Sequence, residues 1–293
     1  MQHSNHQILP VLSLLLTATL WGLIWYPLRL LEAQGLSGLW LSLISYGAAL
    51  ALGMVWLWRS RADWRENAIW LGLMTLAVGW CNVAFVLAVL DGTVVRVLLL
   101  FYLSPLWALI LGWLMLDEHP GTTGLIAFVL AIAGAVTMLW DPELGSPWPR
   151  DEADWLAVSS GLAFAFANVT VRKTHHLTLQ TKAAAGWLGV VLVAAVWIVV
   201  VAEPVPVFSA QALSGALLLG WFGFFIMSVT VIYGVTHMPI YRSAVILLFE
   251  LVVGAVSAQL LTEEQVLVRE WLGGALIMGA AYMAARAQLG GKA

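Results

Sequence analysis

Apolar runs of about 20 residues recur along this chain, parted by short polar breaks. At 1.5 Å per residue, a helix of ~20 residues crosses the ~30 Å of a bilayer's hydrocarbon, and it satisfies its own backbone N–H and C=O groups there. Ten such segments are expected, near 8–28, 38–58, 67–90, 93–116, 122–140, 153–172, 183–202, 211–236, 241–261 and 269–286. Composition agrees, because 62% of residues are hydrophobic and only 10% charged, with a mean hydropathy of +0.92. A soluble domain needs far more charge to cover its surface. The fold class expected is therefore an all-α polytopic membrane protein.

Basic residues set the orientation. With the N-terminus inside, Arg59, Arg61, Arg65, Arg172, Lys173, Lys182, Arg242, Arg286 and Lys292 fall in cytoplasmic loops, and only Arg29, Arg96, Arg150 and Arg269 fall outside. That bias predicts two cytoplasmic termini in an inner (plasma) membrane. The acidic stretch "DPELGSPWPRDEAD" (141–154) then lies outside. The opening "MQHSNHQ" has no Lys or Arg, so no cleavable signal peptide is expected. Trp56, Trp58, Trp70, Trp140, Trp155 and Trp271 lie near helix ends, as interfacial anchors do. Trp21, Trp25, Trp80, Trp107 and Trp113 lie deeper.

The acidic loop divides the chain near its middle. A shift of 143 residues sets Arg29 on Arg172 and Trp21 on Phe164. A shift of 146 sets "VVRVLLLFYLSPL" (94–106) on "IYRSAVILLFELV" (240–252), so Arg96 meets Arg242, and it also sets Glu118 on Glu264. Three polar landmarks thus recur in order. Five helices per half is an odd number, so the halves, 1–143 and 144–293, must insert with opposite orientation. Inverted repeats of this kind surround a midplane substrate site in secondary transporters.

Ten helices in five-plus-five form, "LWG" in the first helix and acidic turns after the fourth and ninth resemble the drug/metabolite transporter superfamily, EamA type. Within it, "FYLSPLWALILGWLMLDE" (101–118) is most similar to bacterial aromatic amino-acid exporters, which carry a Tyr-Leu-x-Pro element in helix four. The resemblance implies a basket of helices one to four and six to nine around a central cavity, with helices five and ten peripheral. It also implies alternating access and export of amino acids or similar metabolites. The chain departs from the family's Glu-Pro in each half: it has Ser104-Pro105 in the first and Glu250-Leu251 in the second. Helix nine therefore lacks the proline that a hinge of that kind would use.

Candidate residues follow from depth. Trp21 and Trp25 share one helix face and offer either packing or a cavity wall with an indole N–H. Trp80, Tyr102, Ser104, Phe164 and Leu247 are further wall candidates, Tyr102 through its place in the Tyr-Leu-x-Pro element. Asn82 and Asn168 read first as interhelical hydrogen-bonding amides and second as substrate contacts. Pro105 removes a backbone hydrogen bond in mid-helix and is the hinge candidate. Arg96 and Arg242 read as snorkelling side chains or as gates. The pairs Ala49 with Gly53 and Ala275 with Gly279 fit close helix crossings, the latter also a dimer contact.

Glu250 stands in an otherwise apolar run, "AVILLFELVVGAV", as a deep acid with three readings. It can be neutral and bridge helices, bind a substrate amino group, or carry a proton.

Enzyme signatures are missing. No His-Glu-x-x-His or Gly-x-Ser-x-Gly string occurs, and Asp91 has no deep mate. With one cysteine, Cys81, and a net charge of −3, no disulfide, metal, cofactor or nucleic-acid partner is expected. The partners expected are a small-molecule substrate and the lipid bilayer, with the chain acting as a monomer or a dimer. The function expected is export of aromatic or other apolar amino acids. A multidrug exporter of the same fold, or a non-transporting scaffold, are the alternatives.

Overall fold

The computed structural model describes residues 2–91, 94–139, 149–261 and 267–290; the side chain of Arg96, and all of Glu264, lie outside the described residues. Every described element is a helix. The first half holds α1 (Gln2–Leu23), α2 (Trp25–Glu32), α3 (Gly38–Arg59), α4 (Arg61–Glu66), α5 (Ala68–Asp91), α6 (Val94–Phe101), α7 (Ser104–Leu116) and α8 (Thr122–Leu139). The second holds α9 (Glu152–Lys173), α10 (Leu179–Val200), α11 (Ala210–Leu218), α12 (Phe225–His237), α13 (Ile240–Leu247), α14 (Phe249–Leu261) and α15 (Val268–Gly290), with a π-helical turn, Leu219–Phe224, joining α11 to α12.

Seven stretches among the described residues are long and apolar enough to cross a membrane: Ile8–Glu32, Gly38–Arg59, Ala68–Ala88, Glu152–Lys173, Leu179–Val200, Ala210–His237 and Ile240–Leu261. Their outward faces carry exposed Leu52, Leu76, Leu192 and Val199, a surface that belongs against lipid. The chain is a multi-pass membrane protein. Trp113, read as one of the deeper tryptophans, is exposed on this outer surface.

Several expected single helices are broken. The first segment bends at Ile24, between α1 and α2. Pro27 has no N–H for the Leu23 carbonyl four residues earlier, and its ring crowds that carbonyl. The fourth segment parts at Tyr102 and Leu103, because Pro105 acts in the same way on Phe101, the last residue of α6. The ninth parts at Leu248 with no proline nearby. There the N–H of Leu251 turns to the Leu248 carbonyl at 3.1 Å instead of reaching back four residues. Each boundary of α13 stands 146 residues after its counterpart in α6, so the breaks recur at one place in both halves.

The seventh segment starts earlier than expected. The Thr178 side chain accepts the Thr181 N–H and begins α10 at Leu179. Lys182, expected in a loop, is consequently inside a helix and fully buried.

Packing alternates between the halves. α8 lies along α15, α5 along α9 and α10, α10 along α3, α1 along α12 and α14, and α7 along α9 and α13. Exchanging the first five segments for the last five maps these pairings onto one another: α5 with α9 becomes α12 with α1, and α7 with α9 becomes α14 with α1. Close crossings rest on small residues. A Cβ on Gly189 would strike the Thr75 carbonyl of α5, and one on Gly134 would come within 2.6 Å of the Gly273 carbonyl of α15. Gly53 makes room for the Trp187 ring of α10, and Gly279 has open space around it. Neither of those two glycines marks the backbone crossing expected of it.

Candidate functional site

The two helix breaks face each other across the middle of the bundle, and the chemistry collects there. Tyr102, in the α6–α7 break, donates its hydroxyl to the Glu250 carboxylate in the first turn of α14. This hydrogen bond joins the two halves at the level where neither helix is continuous. Sequence offset alone set Glu250 opposite Ser104; in space its partner is the tyrosine two residues earlier.

Beside this pair lies a cavity of about 20 Å³. That volume admits a water-sized group and not an amino acid, so the halves are closed upon each other here. Tyr102, Ser104 and Pro105 form one wall, Phe164 and Asn168 of α9 a second, and Ser243 and Leu247 of α13 a third. None of the lining residues carries a formal charge. Phe101 packs against two of these walls, its ring 5.7 Å from that of Phe164 and 5.4 Å from that of Tyr102. Six of the expected residues, counting the hinge, are thus brought together around one space, with Glu250 one hydrogen bond behind it.

The remaining candidates go elsewhere. Trp25 donates its indole N–H to Ser257 of α14 at 2.9 Å and lies under Arg29, which places it as a packing residue. Trp80 donates to Ser159 at 3.2 Å and meets Trp197 edge-on. Asn82 accepts from the Tyr46 hydroxyl at 3.0 Å and donates to the Val78 carbonyl, so its amide is spent between α3 and α5. Trp21 belongs to a second aromatic group, edge-on to Phe224, on which Tyr46 stacks at 4.4 Å. These four were chosen by depth and helix face, which do not name the neighbour.

A contact not expected as a site ties the halves together at one end of the bundle. Glu118 forms an ion pair with Arg172 at 2.9 Å, and its second oxygen accepts the Ile240 N–H at 2.7 Å. Local geometry explains its reach. Asp117 ends α7 in the left-handed conformation, which turns Glu118 back toward the bundle. Pro239 precedes α13 with no side chain able to cap it, so the carboxylate of the other half fills that role. Arg172 also donates to the Thr236 carbonyl at 2.7 Å, and buried Lys182 to the Thr236 hydroxyl at 2.7 Å. The signal was present in the sequence, since Glu118 and Arg172 are both landmarks of the internal repeat. Arg242, expected as a gate, donates to the hydroxyl of its neighbour Tyr241 at 3.1 Å. The other gate candidate, Arg96, falls where no side chain is described.

Comparison with known proteins places the first half. Residues 8–140 match the EamA-like transporter family. The EamA-like region runs through α1 to α8 and so takes in the Tyr102–Pro105 break and Glu118. A solved structure described as "Crystal structure of protein" superposes with a TM-score of 0.76 over 94% of this chain and 96% of that one, at 16% identity. That likeness carries the fold across both halves. No curated protein matches the sequence.

Proposed function

We propose that this EamA-like protein is a ten-span secondary transporter that exports apolar or aromatic amino acids across the inner membrane by alternating access. Its two inverted halves, 1–143 and 144–293, move about the central cavity. The single observation that carries this reading is the meeting of two interrupted helices, α6–α7 and α13–α14, at a cavity where Tyr102 of one half holds Glu250 of the other. Broken helices at mid-membrane are tolerated where they line a cavity and expose backbone groups to a substrate. The exchangeable packing of the two halves and the equal spacing of the two breaks support the inverted repeat.

Aromatic walls with no charged lining residue favour an amphipathic substrate over sugar phosphates or nucleotides, which call for buried Arg or Lys. With both termini cytoplasmic, the Glu118–Arg172 tie closes the cytoplasmic side, and the closed cavity is the state in which that gate is shut.

The test is a panel of radiolabelled amino acids and lipophilic cationic drugs, offered to purified protein in liposomes with and without a pH gradient. Accelerated exchange of an apolar or aromatic amino acid is expected. Movement of the drugs alone would make the chain a multidrug exporter, and movement of neither would overturn the transporter reading.

A further inference from the structure

We propose that the amino end of half-helix α7 is a carboxylate subsite for a zwitterionic amino acid, with Ser104 as its selecting side chain; this rests on the transporter reading above. The Ser104 residue is 4% exposed and lines the cavity. Among the described buried hydroxyl-bearing residues, all but Thr75 and Ser104 make a side-chain hydrogen bond. Thr75 sits in the tight crossing of α5 with α10 at Gly189, where no ligand fits. Ser104 faces the cavity instead. A hydroxyl with no protein partner that opens onto the cavity is one that a substrate oxygen can engage.

The helix start adds its own pull. α7 runs for 13 residues from Ser104, and its N-cap Leu103 has no side chain that can accept. Pro105 brings no N–H and the Leu106 N–H returns to the Leu103 carbonyl at 2.9 Å, so what the start of α7 offers the cavity is the positive pole of its dipole beside the Ser104 hydroxyl. The other half shows what such a start takes: the first turn of α14 holds a carboxylate, that of Glu250. Ser104 occupies the equivalent place in α7 with a short neutral side chain, leaving the position open to a carboxylate brought by the substrate. The Asn168 amide, on the same cavity, can donate to its second oxygen. Glu250, freed from Tyr102 as the substrate arrives, then faces the ammonium. One polar end is thus fixed by each half, and the aromatic wall of Phe164, with Phe101 packed against it, takes the side chain.

The experiment uses full-length protein in liposomes and three probes of one shape: L-phenylalanine, phenethylamine without the carboxylate, and 3-phenylpropionate without the amine. Half-maximal concentrations are read from L-phenylalanine counterflow and its inhibition by the other two. Ser104→Ala should raise the value for L-phenylalanine about tenfold, the scale of one hydrogen bond to a charged group, and leave phenethylamine unchanged. Ser104→Thr, which keeps the hydroxyl, should hold the wild-type value and guards against a packing effect. Ser104→Asp should abolish phenylalanine exchange and strengthen phenethylamine. Equal losses for phenylalanine and phenethylamine in Ser104→Ala, or no loss for either, would overturn the subsite while wild-type exchange keeps the transporter reading intact. If wild-type protein moves no phenylalanine, the aromatic amino-acid reading falls, and the subsite with it.

Discussion

The two broken helices at the centre of this protein occupy equivalent places and differ in both cause and chemistry. In the first half α6 ends at Phe101, and Pro105 accounts for the gap that follows. In the second α13 ends at Leu247 with Leu251 where the proline would stand, yet the helix still breaks. Tertiary packing therefore holds the second break without the proline that serves the first. The chemistry diverges at the neighbouring position, where one half keeps an uncharged hydroxyl, Ser104, and the other a carboxylate, Glu250. A symmetric scaffold with an asymmetric centre suits a substrate whose two polar ends carry opposite charge.

The deepest cut into this comparison is at Glu250. Glu250→Gln leaves an acceptor for the Tyr102 hydroxyl, so the two halves stay joined, but removes both the proton and the charge. Accumulation driven by a pH gradient should fall to background in liposomes. Exchange of 3-phenylpropionate, which has no ammonium, should change least among the aromatic probes. Gradient-driven accumulation that persists in this variant would remove Glu250 from energy coupling. Comparable loss in Tyr102→Phe would show that the hydrogen bond, rather than the carboxylate, matters.

The next effect belongs to the Glu118–Arg172 tie, which the proposed orientation puts at the cytoplasmic end. Glu118 and Arg172 are partly exposed, with side chains 15% and 28% accessible, so the full penalty of a stranded buried charge does not apply. Glu118→Gln should lower stability by about 1–2 kcal/mol through loss of the ion pair and of the charge that caps α13. It should also shift the protein toward a cytoplasm-open state, read as faster thiol labelling of a cysteine placed at Ser243 on the cavity wall. A double variant with Arg172→Gln should lose less than the sum of the two single losses if the pair acts as a unit. Full additivity, with unchanged labelling, would reduce the contact to a surface ion pair.

The sequence carried seven membrane-crossing stretches of the ten expected, among the described residues, because lipid demands apolar runs of fixed length and the chain supplies them plainly. It also carried Tyr102, Ser104, Phe164, Asn168 and Leu247 to one cavity, through depth and repeat position. It failed where the outcome depended on neighbours. Trp25 and Trp80 lie as deep as the cavity residues, but Ser257 and Ser159 stand in reach of their N–H groups. Pro27 was passed over because its segment stays apolar through the bend. The break at Leu248 has no local marker at all, since no residue there lacks an N–H or favours an unusual backbone. Glu118 was legible as a landmark, but its partners come from the other half, 54 and 122 residues away in sequence.

The smallest effects test whether architecture or proline sets the breaks. Pro105→Ala returns an N–H that can reach the Phe101 carbonyl, and a purely local hinge would then fuse α6 with α7. If packing holds the break, as it does around Leu248, expression stays at the wild-type level and exchange slows by only a few-fold, on the order of 1 kcal/mol. Unchanged kinetics would deny the proline any part in the cycle, whereas complete loss would make it the cause of the break. The reverse variant, Leu251→Pro, copies the first half into the second. The Leu251 N–H already bonds to Leu248 at 3.1 Å and not to Leu247. Proline there forfeits a single short-range hydrogen bond, about 1 kcal/mol, plus some packing from a side chain that is 7% exposed. The variant should therefore reach the membrane and exchange substrate near the wild-type rate. In a continuous helix the same substitution costs about 3 kcal/mol or more, so a failure of Leu251→Pro to accumulate would mean that α13 and α14 spend part of the cycle as one unbroken helix.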